Sequence, residues 1–219
     1  GGPEEDVPAV ILGADGRIGA LLAGAGDGQD VLLGRGDKVP EDHPGPVYVA
    51  TRNDVLAQVV DEQCPASKRD DLVFMQNGML EPFLRSKGLL QPETTLVNAY
   101  FAVAKKGDDP IDGITKFNPD GLTCATGKWA KVFQKRLEKS ELNCRVLGSR
   151  EFRRASMEKL LWICVMNLVG AVHGGITVGE VVEKHRREVD ALVDEMARMI
   201  RFTLAVGMFP DISDRLCAY

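Results

Sequence analysis

Apolar residues in the first half of the chain fall in short runs, separated by stretches where they recur at helical spacing. That alternation predicts a parallel sheet with crossover helices. The run at 7–12 is continuously apolar and ends on glycine, as a strand buried on both faces should. Residues 16–25 are small, with Ile18, Leu21 and Leu22 on one side, and predict a helix. Further strands are expected at 31–33, 47–50, 72–75 and 94–104. Helices are expected at 54–64, capped by Asn53 or Asp54, and from just after Asn77-Gly78 to about Lys87. The stretch 38–46 holds three prolines and one glycine and is read as a tight loop. Residues 114–117 and 122–125 flank Asn118-Pro119-Asp120-Gly121 and suggest a hairpin with a type I turn. An amphipathic helix at 128–139 and a strand at 144–147 complete this part.

From Phe152 onward the pattern is helical throughout. Two helices are expected, at 152–170 and 178–206, joined by the glycine-rich link 170–175. The boundary is set near residue 150, giving an α/β domain over 1–150 and a small all-helical domain over 151–219. The second helix carries a stripe from Val178 through Val189 and Val193 to Met199 and Ile200. Part of it needs another surface in so small a domain, so a homodimer is expected.

Charge and composition narrow the function. A formal net charge of −5 and a pI near 5.3 exclude the basic face that a nucleic-acid partner requires. The longest apolar stretch, 160–172, is thirteen residues and contains Asn167, short of the about 18 that a membrane span needs, so a buried helix and no membrane partner are expected. Five scattered cysteines form no C-x-x-C pair and read as reduced thiols in an intracellular setting. His43, His173 and His185 lack metal-ligand spacing, so no metal is expected. With no secretory leader read at Gly1, the cytoplasm is the expected compartment, or a plastid if a transit peptide has been removed.

The informative chemistry lies in Gly13-Ala14-Asp15-Gly16-Arg17-Ile18-Gly19, between the first strand and the first helix. There a dinucleotide loop needs glycines: Gly13 for the sharp exit, Gly16 for approach to a pyrophosphate, Gly19 for close helix packing. Free amides of the first helical turn, at Arg17 and Ile18, then meet the anion. The spacing is G-x-x-G-x-x-G. The second strand ends Leu33-Gly34-Arg35, and an arginine there favours the 2′-phosphate of NADP(H), although Asp37 two residues on could grip the hydroxyl of NAD instead. The fold class expected is therefore a Rossmann-type parallel sheet with a small all-helical C-terminal domain.

Three more segments carry a resemblance: Gln76-Asn77-Gly78 after the fourth strand; Met157-Glu158-Lys159-Leu160-Leu161-Trp162 opening the helical part; and Asn167 followed by Thr177-Val178-Gly179-Glu180. With the glycine loop and Arg35, the chain resembles the ketopantoate reductase family of the 6-phosphogluconate-dehydrogenase-like group. The resemblance implies NADPH on the first domain and a small 2-keto acid substrate in a cleft. It makes Lys159 the general acid for the ketone oxygen, with Asn77 and Asn167 beside the substrate. Thr51 and Arg52, closing the third strand, stand where the family has a cofactor-contacting lysine. Ile163 replaces an asparagine that the family shows one turn after the lysine. The residues given also end at Tyr219, before helices that supply a serine and a glutamate in the family, so ketopantoate itself is not expected as the substrate. A non-catalytic NADP-binding sensor or scaffold is the second reading.

Overall fold

The computed structural model describes residues 4–219, which form two compact units. The first comprises residues 4–114 and Asp120–Ser149; the second comprises Thr115–Pro119 and Arg150–Tyr219.

The first unit is built on a sheet in the order β2-β1-β3-β4-β5-β6-β7. Strands β1 (Val10–Leu12), β2 (Val31–Leu33), β3 (Val47–Val49), β4 (Leu72–Phe74) and β5 (Thr95–Asn98) run parallel. β6 (Cys124–Thr126) is antiparallel to β5, and β7 (Arg145–Val146) is parallel to β6. Side chains alternate across the sheet, so each strand feeds two cores. Ile11, Tyr48, Val73, Val97 and Ala125 pack with Leu22 of α1 (Arg17–Gly24). Phe133 and Leu137 of the later helix at Ala130–Glu138 join the same layer. Val10, Leu12, Val47, Val49, Leu72 and Phe74 pack on the other face. They meet Leu56 of α2 (Leu56–Gln58), which continues as a π turn over Val59–Gln63, and Leu84 of α3 (Glu81–Ser86). Burial on both faces is why these strands read as unbroken apolar runs.

The helix at Ala130–Glu138, α4, carries the least expected core residue. Arg136 is 1% exposed. Its guanidinium donates to Asp6 (2.8 Å), to both carboxylate oxygens of Asp30 (2.6 and 3.1 Å), and to the carbonyls of Leu22 (3.0 Å) and Val7 (2.9 Å). All five of its N–H donors are thereby used. Burial works against its charge, but Asp30 and Asp6 more than offset this and hold it protonated above its ordinary range. Asp30 also accepts from the amide of Ala9 (2.8 Å), so one cluster ties the approaches to β1 and β2 to α1 and α4.

Three expectations in this unit are corrected. The strand expected at 94–104 ends at Asn98; beyond it the Tyr100 amide donates to Thr123 Oγ1 (3.0 Å), and Ala102 makes only an isolated bridge with Ile111. The hairpin expected at 114–125 does not form. β6 instead pairs with β5, setting Val97 opposite Ala125 in the core, while Thr115 and Asn118 close a small turn of their own. Neither Asn53 nor Asp54 caps a helix; the segment opens as a 3₁₀ turn, Asn53–Val55, with no side-chain cap.

The second unit packs α5 (Ser149–Val172), α6 (Val178–Lys184), α7 (Arg186–Leu204) and α8 (Ile212–Cys217). α5 is long and apolar enough to cross a membrane by length and composition, yet Met157, Leu161, Val165 and Val169 form the centre of this unit's core. The single helix expected at 178–206 is two. Thr177 and Glu180 form a capping box that starts α6, and the chain leaves helical geometry at His185 (φ −124°, ψ 25°) before α7. Most of the apolar stripe is absorbed locally, with Val181, Val189, Val193 and Ile200 buried, while Met199 and Phe202 stay exposed.

The Arg136 cluster gives a direct stability test. Asp30→Ala leaves a buried guanidinium half-neutralised, and a buried pair broken from one side costs about 3–5 kcal/mol. Urea denaturation should show a loss of that size; an unchanged midpoint would mean the cluster does not hold the unit together.

Candidate functional site

Chain order reverses between β1 and β3: from β1 the chain crosses to β2 on one side, then returns to β3 on the other. In open α/β sheets ligands bind at such a point, beyond the carboxyl ends of the strands. The segments leaving those ends are the glycine loop after β1, Gly34 to Asp37 after β2, Ala50 to Arg52 after β3, and Gln76-Asn77 after β4.

The loop is wound tightly for identifiable reasons. Gly13 has φ +79°, and a Cβ there would lie 2.5 Å from the Ala50 carbonyl oxygen. A Cβ on Gly19 would lie 2.1 Å from the Gly13 carbonyl oxygen, so α1 rests directly on the loop backbone. The Gly16 amide donates to Gly13 O (3.0 Å) and sets the helix start. Gly16 has no side-chain cap, and no acidic residue lies in the first turn of α1, so the positive end of the helix is left for an anion. Arg17 is exposed, but its guanidinium is tied to the carbonyls of Val103 (3.1 Å) and Ala104 (3.3 Å), so it braces the helix start. Ile18 packs its side chain into the sheet core.

At the end of β2 the two candidates for nicotinamide selection part ways. Asp37 accepts a hydrogen bond from the Gly34 amide (2.7 Å) and closes the turn, in which Gly36 sits at φ +86°. Arg35 is exposed on that turn, with no hydrogen bond or ion pair among the described residues. A groove of about 310 Å³ runs beside it, lined by Ala14, Asp15, Ala20, Leu33, Gly34 and Lys106. A larger groove, about 840 Å³, opens on the flank of α1 and takes in the loop carrying Asp108 to Pro110. It takes in neither Ala14 and Asp15 of the glycine loop nor Leu33 and Gly34 at the end of β2, all of which line the smaller groove, so size does not make it the better candidate. Lys106 had no signal in the sequence pattern. It lies 3.7 Å from the Asp15 carboxylate, offsets the one acidic side chain in the loop, and adds a cation to the groove.

At the ends of β3 and β4 the organising residue is Gln76, which is buried. Its amide donates to the carbonyls of Val49 (2.7 Å) and Thr51 (3.0 Å), while its own oxygen accepts from the Met75 amide (3.2 Å). Gln76 thus locks the two strand ends together, a role unassigned in the sequence reading. Thr51 lies against Gly13, and its hydroxyl is buried with no protein partner. An orphaned polar atom beside a glycine cradle is what a bound polar ligand would satisfy, so these residues fit a dinucleotide. Arg52 is exposed and paired with Asp54 (3.0 Å), a surface bridge worth little. The Asn53 side chain donates to the Asn77 carbonyl (2.7 Å), fixing the exit from β4 and leaving the Asn77 side chain exposed.

Lys159 and Asn167 both lie on α5 of the second unit. Lys159 is half-buried. Asn167 is exposed and donates to the Ile163 carbonyl one turn back (2.6 Å), so its amide is turned onto its own helix. Glu158 is buried and pairs with Arg215 (3.1 Å), which lies 4.5 Å from the Phe209 ring centroid.

The tight seat of α1 yields a paired test. Gly19→Ala puts a methyl into backbone that cannot yield, and overpacking of this kind costs about 1–3 kcal/mol. Gly24→Ala, on the same helix with open space around it, should cost nothing. Thermal unfolding of both variants decides it, and equal effects would remove the close approach of Gly19 as the reason for glycine.

No family model matches the chain, and no curated protein does. Solved structures are similar in fold. A 2-dehydropantoate 2-reductase from Methylococcus capsulatus is 14% identical, with a TM-score of 0.69 over 97% of this chain and 79% of its own. One from Geobacter metallireducens GS-15 is 17% identical, with a TM-score of 0.65 over 96% and 81%. A D-mandelate dehydrogenase solved with NADH and anilino(oxo)acetate is 12% identical, with a TM-score of 0.64 over 95% and 78%. With its strand order, its glycine loop after β1 and its helical second unit, the chain has the fold of the 2-dehydropantoate 2-reductases, also called ketopantoate reductases.

Proposed function

We propose that the chain is an NADPH-dependent oxidoreductase that reduces a small 2-keto acid or related carbonyl compound. The observation that carries this reading is the division of labour after β2. Asp37, the residue that could grip the 2′-hydroxyl of NAD, is held in the turn by the Gly34 amide through Oδ2, while Arg35 stands exposed beside the groove. A guanidinium pairs well with a phosphate in two-point fashion, and Lys106 adds a second cation to the groove lining. The bound nicotinamide would supply the hydride. In this reading the glycine loop and the start of α1 hold the pyrophosphate, Thr51 gives it a hydroxyl partner, and Asn77 orients the substrate. Lys159 donates the proton to the substrate oxygen, a role it takes from the family resemblance. The similar D-mandelate dehydrogenase holds NADH, so fold alone leaves the choice of nicotinamide open, and Arg35 is what supports NADPH. All five cysteines are free thiols, which supports a reducing compartment such as the cytoplasm.

Titration of NADPH and NADH into the wild type and Arg35→Ala should show tighter NADPH binding that Arg35→Ala abolishes. Equal wild-type affinities, or a preference that survives the substitution, would sink the NADP assignment.

With a panel of 2-keto acids as substrates, Lys159→Ala should keep its NADPH affinity. Its turnover should fall by about 10²- to 10⁴-fold, the usual worth of a positioned acid. Turnover unchanged in Lys159→Ala would remove the acid role. NADPH binding without turnover on any carbonyl compound would favour the non-catalytic sensor or scaffold.

A further inference from the structure

Three donors from two places in the second unit meet where the sequence showed no ligand spacing. His173 follows the last turn of α5, His185 sits at the break between α6 and α7, and Glu188 lies in the first turn of α7. The imidazoles stack with centroids 3.6 Å apart at 18°. Both face one carboxylate oxygen: His173 Nε2 lies 2.7 Å and His185 Nδ1 4.0 Å from Glu188 Oε2. One ligand atom from each residue falls within 4.8 Å of the others.

We propose that His173, His185 and Glu188 form a site for Zn²⁺ or a divalent ion of the same preference, apart from the dinucleotide loop. Two imidazoles and one carboxylate are the donor set of three-ligand zinc centres that keep a position open for water, and they are a poor set for Mg²⁺ or Ca²⁺. The distances suit the ion. Zinc bonds of about 2.0–2.1 Å at tetrahedral angles place donor atoms about 3.3 Å apart, and the two His–Glu separations bracket that value. The stacked rings cannot both aim an in-plane lone pair at one ion, so binding requires one imidazole to swing off the other, and the link that follows His173, with Gly174 and Gly175 both at positive φ, is where the chain can turn to allow it. All three side chains are partly exposed, at 30%, 26% and 45%, so an ion can reach them. Coordination through His173 Nε2 moves any proton on that nitrogen to Nδ1 or to solvent. A bound ion would pin the end of α5 to the α6–α7 break and close the glycine link between them.

Titration of the intact chain with Co²⁺ tests the site, because cobalt reports its ligands by colour. The expected result is one equivalent bound, with the visible bands of nitrogen and oxygen ligation and no thiolate charge-transfer band. Zn²⁺ should displace it. His173→Asn, His185→Asn and Glu188→Gln should each weaken binding by about 10–100-fold or more, since even outer partners of metal ligands are worth that much. Zn²⁺ at a hundredfold above its Kd should raise the Tm of the wild type by about 5–10 °C and leave that of His173→Asn/His185→Asn unmoved. No cobalt bands, bands that persist in the variant lacking both imidazoles, or a thiolate band pointing to Cys164 or Cys217 would overturn the proposal. NADPH binding is read separately and should be the same in all these variants.

Discussion

A buried arginine is the constraint on which the first unit depends. Arg136 sits in the core on α4, and no apolar residue could do what its five donors do. It joins Asp6 before β1, Asp30 before β2, and the carbonyls of Val7 and Leu22. A charge in that position is tolerable only because every donor is satisfied and two carboxylates neutralise it. The cluster also shapes the backbone around it: a Cβ on Gly26 would lie 2.2 Å from the Asp30 carboxylate. Fixing the entries to β1 and β2 sets their register, and the register sets what emerges at their far ends.

At those far ends, structure becomes chemistry. With β1 and β3 paired Leu12 to Val49, Gly13 meets Ala50 at a distance that only glycine allows. α1 is drawn onto the loop at Gly19, and its uncapped start becomes the positive end of a dipole with nothing of its own to neutralise it. Gln76 holds β3 and β4 in step. The Asp37 turn presents Arg35 outward. The orphaned Thr51 hydroxyl is a cost in the free protein that a polar ligand would remove.

The second unit obeys a different logic. Its helices are held by one apolar core. Glu158 and Arg215 are buried together, whereas His173, His185 and Glu188 gather where the end of α5 meets the α6–α7 break. The break at His185 brings that histidine to His173; in an unbroken helix from Val178 the two rings would have no reason to stack.

The sequence by itself determined the parallel sheet, the glycine loop with its strand before and helix after, the loop at 38–46, and the turn bearing Arg35. Each is written in local pattern: continuous apolar runs, glycine spacing, proline density. The places where reading failed were decided by partners distant in the chain. β6 chose β5 over residues 114–117 because Val97 and Ala125 complete a core. Asn53 caps no helix, and its side-chain amide instead donates to the Asn77 carbonyl, 24 residues away. Lys106 reached the groove, Gln76 became a strut and Arg136 a core residue through contacts that no spacing encodes. His173 and His185, twelve positions apart, became neighbours only when the chain broke between α6 and α7. Local pattern fixes which segments bury their faces, because burial follows periodicity. Tertiary structure decides which polar groups meet, because a hydrogen bond or ion pair depends on where two backbones arrive in space.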